Sequence, residues 1–299
     1  MGQFSVNKAI SMKEQGMALK EYLIEMGISK RLLTDIKFSG GDLLIDGKSV
    51  TVRHELTAGE ELTVRFPPEI VSSSLEPDPV PLTILYEDEH VLLINKQPYV
   101  SSIPSREHPT GSIANGLIHY YAAKGFESTV HLVNRLDRDT SGAMLIAKHR
   151  FAHSLLSKSQ KEGKVKRSYI AVVEGIVPKD EGTIDAPIGR KGTSIIEREI
   201  SESGQAAVTR FTVLKRFADT TLVALMLETG RTHQIRVHME HYGHPLCGDS
   251  LYGGSKVKIA RQALHSEWIT FFHPITQEKL TFCAPVPQDI RQLIEEQSD

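Results

Sequence analysis

The chain has 299 residues, 40% of them apolar and 24% charged, so it is long enough for about two ordinary globular domains, and wholesale disorder, a fibrous repeat or a coiled coil are excluded. No apolar run approaches the ~20 residues of a membrane span, the start lacks the layout of a signal peptide, and two cysteines are too few for a disulfide scaffold; a soluble cytoplasmic protein is expected. The net charge of -2 hides an uneven distribution, because residues 135–170 carry nine Lys or Arg against three acids, a window to which a polyanion could dock.

From the N-terminus, Leu19, Tyr22, Leu23 and Met26 recur at helical spacing. Gly27 follows where a helix end needs left-handed backbone. Ser29 can cap a second helix with Leu32, Leu33 and Ile36 on one face, closed by Gly40-Gly41. Leu43-Leu44-Ile45, the turn dipeptide Asp46-Gly47, a short strand near Ser49 and the alternating Leu62, Val64 and Phe66 then predict a small sheet. This stretch, ISKRLLTDIKFSGGDLLIDGKSV followed by LTAGEELTV, resembles the small RNA-binding module first recognised in a ribosomal small-subunit protein. Over residues 13–67 the resemblance implies that the second helix presents Lys30, Arg31 and Lys37 to RNA phosphates.

Residues 67–81 contain five prolines and three serines, so a poorly packed linker is expected at 68–82. Strand patterns at 83–86, 91–95, 144–147, 169–174, 209–214 and 221–227, broken by helical stretches near 149–160 and 231–242, predict one α+β domain over 83–287. Its sheet should be large, and antiparallel or mixed.

The densest chemistry lies in Asn134-Arg135-Leu136-Asp137-Arg138-Asp139-Thr140-Ser141-Gly142, just before the apolar AMLIAK. Asp139 to Gly142 reads as a turn, in which Asp and Ser side chains bond nearby amides, and this leaves Asp137 available for reaction. NRLDRDTSGAMLIAK is similar to the signature of RNA pseudouridine synthases of the RluA type. Three further blocks agree in order: EDEHVLLINKQPYV at 87–100, KRSYIAVVEG at 166–175, and LETGRTHQIRVHMEHYGHPLCGDSLYG at 227–253, which leads into RQALH at 261–265.

That resemblance implies isomerisation of uridine within RNA, ribosomal RNA being favoured over transfer RNA, with no cofactor, metal or obligate protein partner. By it, Asp137 is the catalytic aspartate, attacking the anomeric carbon or assisting uracil departure, with ring-carbon attack as a further possibility. Arg231 is expected to pair with Asp137, Tyr169 to lie against the target base, and Leu264 to pack beneath it. Arg135 would meet the vacancy left by an everted base, and Asn134, which stands where the family usually has histidine, is expected to contact the RNA substrate beside it. Lys166 and Arg167 are expected to line the RNA approach.

Two rival readings exist. His238, His241, His244 and Cys247 recur every third residue, but Gly243 and Pro245 interrupt a common helix, which argues against zinc. A catalytically silent RNA-binding or ribosome-assembly protein on the same fold is the other, and the presence of Asp137, Tyr169 and Arg231 argues against it.

Overall fold

The structure, a computed structural model, describes residues 3–71, 75–105, 109–126 and 128–297. The first unit comprises β1 (Ser5–Ala9), α1 (Leu19–Glu25), α2 (Lys30–Phe38), β2 (Asp42–Ile45), β3 (Lys48–Ser49) and β4 (Glu61–Arg65). Its four strands run in the order β1-β4-β2-β3. Asp46 and Gly47 both take positive φ, the geometry a two-residue hairpin turn requires, and Ser29 Oγ accepts a hydrogen bond from Leu32 N at the head of α2. The edge strand β1 lies upstream of residue 13, so this sheet begins earlier than the sequence pattern suggested.

The second unit contains β5 (Thr83–Glu87), β6 (Val91–Lys96), α3 (Ile113–Ala123), β7 (His131–Leu132), β8 (Ser141–Ala147), α4 (Arg150–Lys161), β9 (Lys166–Glu174), β10 (Glu181–Asp185) and the hairpin β11 (Ile188–Arg190) and β12 (Arg198–Ile200). It continues through β13 (Val208–Arg216), β14 (Thr220–Leu227), α5 (Gln234–His241), a 3-10 turn at Ser250–Tyr252, β15 (Leu264–Phe272), β16 (Lys279–Cys283) and α6 (Gln288–Glu296). The large mixed sheet runs β10-β13-β14-β9-β15-β8-β6-β5, with β16 added to β15 and β7 to β8. The class is α+β.

Both faces of the central strands are covered. In β8, Met144 and Ile146 join the core beneath α3 and α5, while Ala143, Leu145 and Ala147 face the opposite core with Ala152 and Leu156 of α4. Such strands read as continuous apolar runs because neither side meets water. On that second face α6, beyond residue 287, inserts Ile290 and Leu293 beneath Ile170 and Val172.

All the sheet's pairings among the described strands are antiparallel except β8 with β15, where His265 pairs with Ser141 and Ser266 with Gly142. Gly142 has φ +117°, and a β-carbon there would lie 2.2 Å from the Ser266 carbonyl oxygen. Only glycine closes this seam.

The described parts of the proline-rich segment, 68–71 and 75–82, are without helix or strand but docked, contrary to the expectation of a poorly packed linker, and residues 72–74 lie outside the described residues. Asn115 Nδ2 donates to Glu76 O, Gly111 N donates to Asp78, and Val80 and Leu82 pack on the core beside α3. Glu69 meets Arg150 and His131. Nor is the small unit held at a distance: Phe151 of α4 belongs to its core, stacked on Phe66 with ring centroids 5.0 Å apart, and Phe4 stacks on His149 at 3.9 Å. Prolines fix an extended backbone without deciding whether that backbone is solvated or docked.

Candidate active site

The loop before β8 is held from behind. Asn134 is buried; its Oδ1 accepts from Leu145 N and its Nδ2 donates to Ala143 O, so the amide serves as a strut for the strand. This corrects the expectation that the Asn134 side chain meets RNA. Ser102 Oγ donates to Leu136 O and accepts from Leu136 N, and Thr140 N bonds Asp137 O to close the turn.

Two buried cations grip successive carbonyls of that turn. Lys96, 0% exposed, donates to Gln97 O, Val100 O and Arg138 O at 2.8, 2.8 and 2.9 Å. Burial pulls its ammonium down to about 7, although the charges of Asp137 and Asp139 oppose the shift. Arg261 donates to Asp139 O at 2.8 Å and anchors itself bidentately on Asp289 of α6.

The loop so fixed projects Asp137 into a cleft of about 600 Å³. Its carboxylate, 26% exposed, accepts a hydrogen bond from Arg236 Nη1 at 3.2 Å. Arg236 is also forked onto buried Asp249 at 2.6 and 2.8 Å. Burial alone would lower its pKa, but the bonds to Asp249 and the charges of Asp249 and Asp137 outweigh that and raise it. The guanidinium lies 4.8 Å from the ring centroid of Tyr252, whose Oη accepts from Arg198 N and lies 2.7 Å from His233 Nδ1. His233 Nε2 stands 3.9 Å from Asp137 Oδ2, and burial lowers the pKa of this imidazole.

The expected pairing of Asp137 with Arg231 is therefore wrong. Arg231 is exposed at the cleft rim and its Nε donates to Ala206 O at 3.0 Å. The cause is local: Gln234 Oε1 accepts from Arg231 N, His233 turns left-handed with φ 57°, and α5 begins only at Gln234. Arg236, in its first turn, then faces inward. Asp249, His233, Tyr252, Lys96 and Arg261 were also missed. The available signal was Arg236 set among apolar Ile235, Val237 and Met239, a pattern that announces a buried charge in need of a partner.

Tyr169 and Leu264 are buried, pack in one core with Leu136 and Ile235, and line the cleft. Arg135 is exposed at its edge. Lys166 and Arg167 do not form one surface, because β9 alternates: Lys166 is exposed, whereas Arg167 is buried in the cleft wall. Lys30, Arg31 and Lys37 are exposed on α2, with Lys37 Nζ 4.8 Å from the centroid of the exposed Phe38 ring. Asp137 is the lone carboxylate among the lining residues, against Arg135, Arg138, Arg167, Arg198, Arg231 and Arg236. A larger groove, of about 990 Å³, between the small unit and α4 balances Lys8, Lys158 and Lys164 against Glu25, Glu89 and Glu162.

His238 has both ring nitrogens engaged, by Thr209 Oγ1 and Ala186 O. Among the described residues no three His, Cys, Asp or Glu side chains are placed to hold a metal ion, and no helix is long and apolar enough to cross a membrane.

The family model for RNA pseudouridylate synthase matches residues 90–241. The chain is 66% identical over 278 residues to the RNA pseudouridine synthase YjbO of Bacillus subtilis (strain 168), covering 93% of this chain and 98% of that one. It is 36% identical over 268 residues to the ribosomal large subunit pseudouridine synthase D of Escherichia coli (strain K12), covering 85% and 82%. Among solved structures, human RNA pseudouridylate synthase domain containing 1 superposes with a TM-score of 0.58 at 25% identity, covering 74% of this chain and 96% of that one. The match covers the Asp137 loop, Tyr169 and α5 with its Arg236 alike, so the chain belongs to the RNA pseudouridine synthase family, whose members are isomerases.

Proposed function

We propose that the protein converts uridine to pseudouridine in structured RNA of the large ribosomal subunit, in the cytoplasm, with Asp137 as the catalytic carboxylate. The observation that carries this reading is one carboxylate, clamped by a buried guanidinium that cannot shed its charge, in a cleft otherwise lined by arginines. Such a cleft draws in a polyanion and presents it with a single nucleophile. The large-subunit assignment rests on the likeness to the synthase of Escherichia coli.

A stacked or paired uridine must leave the helix before its glycosidic bond can be reached. Tyr169 offers the everted base an apolar face, Leu264 packs beneath it, and Arg135 occupies the edge nearest the vacancy. Asp137 acts at the anomeric carbon as the bond from C1′ to N1 breaks. The uracil turns, C5 bonds to C1′, the C5 proton is lost and N1 gains one. Substrate and product are isomers, so the chemistry consumes no co-reactant. Arg236 holds and aims Asp137 through its hydrogen bond, and Arg231 serves RNA at the rim. Lys30, Arg31 and Lys37 of α2, with the Phe38 ring, supply a second, sequence-independent contact.

The test is carbodiimide-dependent primer-stop mapping across all stable RNAs from cells with and without the gene, complemented by wild type or Asp137→Asn. Stops absent from the deletion strain should return with wild type alone. If Asp137→Asn restores them, the protein acts through RNA binding and the enzymatic reading is wrong.

A further inference from the structure

Arg167 differs from the other buried cations of the cleft and its surround. Lys96 has three carbonyls, Arg236 two carboxylates, and Arg261 a carboxylate and backbone oxygens. Arg167 is 8% exposed, yet among the described residues no hydrogen bond or ion pair reaches its guanidinium, and its Nε is fully enclosed without an acceptor. It precedes Tyr169 by two residues on β9, so both side chains stand on the same face of the sheet and both line the cleft. Room for it exists because residue 230 is glycine: a β-carbon there would lie 3.1 Å from Arg167 Nη2.

A buried, uncompensated guanidinium is costly, and unlike lysine it cannot escape by releasing its proton. Its Nε is enclosed while the two terminal nitrogens open on the cleft, so the place for a counter-charge is the cleft itself, where a ligand binds. The one carboxylate lining the cleft, Asp137, is already engaged by Arg236. Of the parts of an everted uridine, base and ribose are neutral; only the phosphodiester carries charge, and its two non-bridging oxygens match the fork of a guanidinium. Resting on the reading of Asp137 as the reacting group, we propose that Arg167 is an internal phosphate receptor, binding a phosphodiester that flanks the target uridine and so holding the RNA in the cleft.

The test uses full-length, 15N-labelled protein. The Nε–Hε resonance absent from Arg167→Lys identifies the side chain, and the probes are uridine 5′-monophosphate and uridine. The monophosphate should shift that resonance in wild type and in Asp137→Asn, and much less in Gly230→Ala, while uridine should leave it in place. An equal shift with uridine would assign Arg167 to the base and overturn the proposal, as would silence toward both. Removing an unpaired buried charge should also stabilise the free protein: Arg167→Met is expected to raise Tm by about 2–4 °C, and a fall would reveal an internal partner.

In turnover on RNA from the deletion strain, Arg167→Gln should raise KM about tenfold with kcat nearly unchanged, the signature of lost uniform binding, and reduce the salt slope by about one. An unchanged KM would refute the receptor. Failure of wild type to make pseudouridine while the monophosphate shift persists would instead refute the proposed reaction and leave the receptor standing.

Discussion

Lys96→Met tests how the catalytic turn is held. The ammonium titrates near 7 in the fold against an ordinary 10.5, so keeping it charged costs the native state roughly 4–5 kcal/mol at neutral pH. Methionine removes that cost but leaves the carbonyls of Gln97, Val100 and Arg138 without their donor, at about 1–3 kcal/mol each. The two effects oppose, so stability at pH 7 should move by only a few kcal/mol. The pH dependence separates them. Between 7 and 10.5 the unfolded chain binds the Lys96 proton more tightly than the folded one, so wild-type stability rises with pH in that window. Relative to Lys96→Met the gain from pH 7 to pH 9 is about 2 kcal/mol, read as the difference in urea unfolding free energy. Turnover of the variant should fall at least tenfold, because Arg138 O follows Asp137 directly in the turn. Parallel stability curves for the two proteins, or full activity in the variant, would refute the argument.

Asp249→Asn breaks a buried pair and leaves Arg236 half-compensated, which should lower unfolding free energy by about 3–5 kcal/mol and sharply reduce kcat. Chemical denaturation and a tritium-release assay measure the two effects. Burial of Glu69 would raise its pKa, but His131 and Arg150 overcome this and hold it at about 2. Its contribution, roughly 3–4 kcal/mol, is therefore present above the unfolded value near 4.5 and lost as pH falls toward 2. Glu69→Gln should remove that acid-range loss, as followed by circular dichroism between pH 5 and 2. Gly142→Ala forces a β-carbon into the Ser266 carbonyl and should cost more than ~4 kcal/mol, giving insoluble or unfolded protein on expression.

Asp137 could be found in the sequence because everything defining its loop is contiguous, although the turn lies one step earlier than the pattern suggested: it spans Asp137 to Thr140, and Ser141 and Gly142 already belong to the apolar strand β8. Its partner could not, because the choice between Arg231 and Arg236 is made by helix phase. That phase depends on left-handed His233 and on Gln234 bonding back to Arg231 N, neither of which leaves a periodic trace. The separation of Lys166 from Arg167 was within reach, since a strand that places Tyr169 inward places Arg167 inward too. Strand β1 has a burial pattern with one half-buried residue, and α6 lies past the last recognised block. The strand relies on its tertiary partners, whereas α6 carries Ile290, Leu293 and Ile294 at helical spacing and was legible from its own pattern. Polar fasteners such as Lys96, Asp249 and Arg261 form over long sequence separations and are silent to local reading.

The parallel seam between β8 and β15 governs when a nascent chain becomes competent. A parallel pair cannot close through a hairpin, and here the intervening excursion from Ala147 to Leu264 contains β9 through β14 and α5, half of the cleft wall. Asp137 and Arg236 are 99 residues apart in sequence, and Arg261 reaches Asp139 across 122. Such pairings form late and slowly. During translation the carboxylate therefore emerges long before its guanidinium and before the return strand that seats the turn, so reactivity toward RNA waits on nearly complete synthesis.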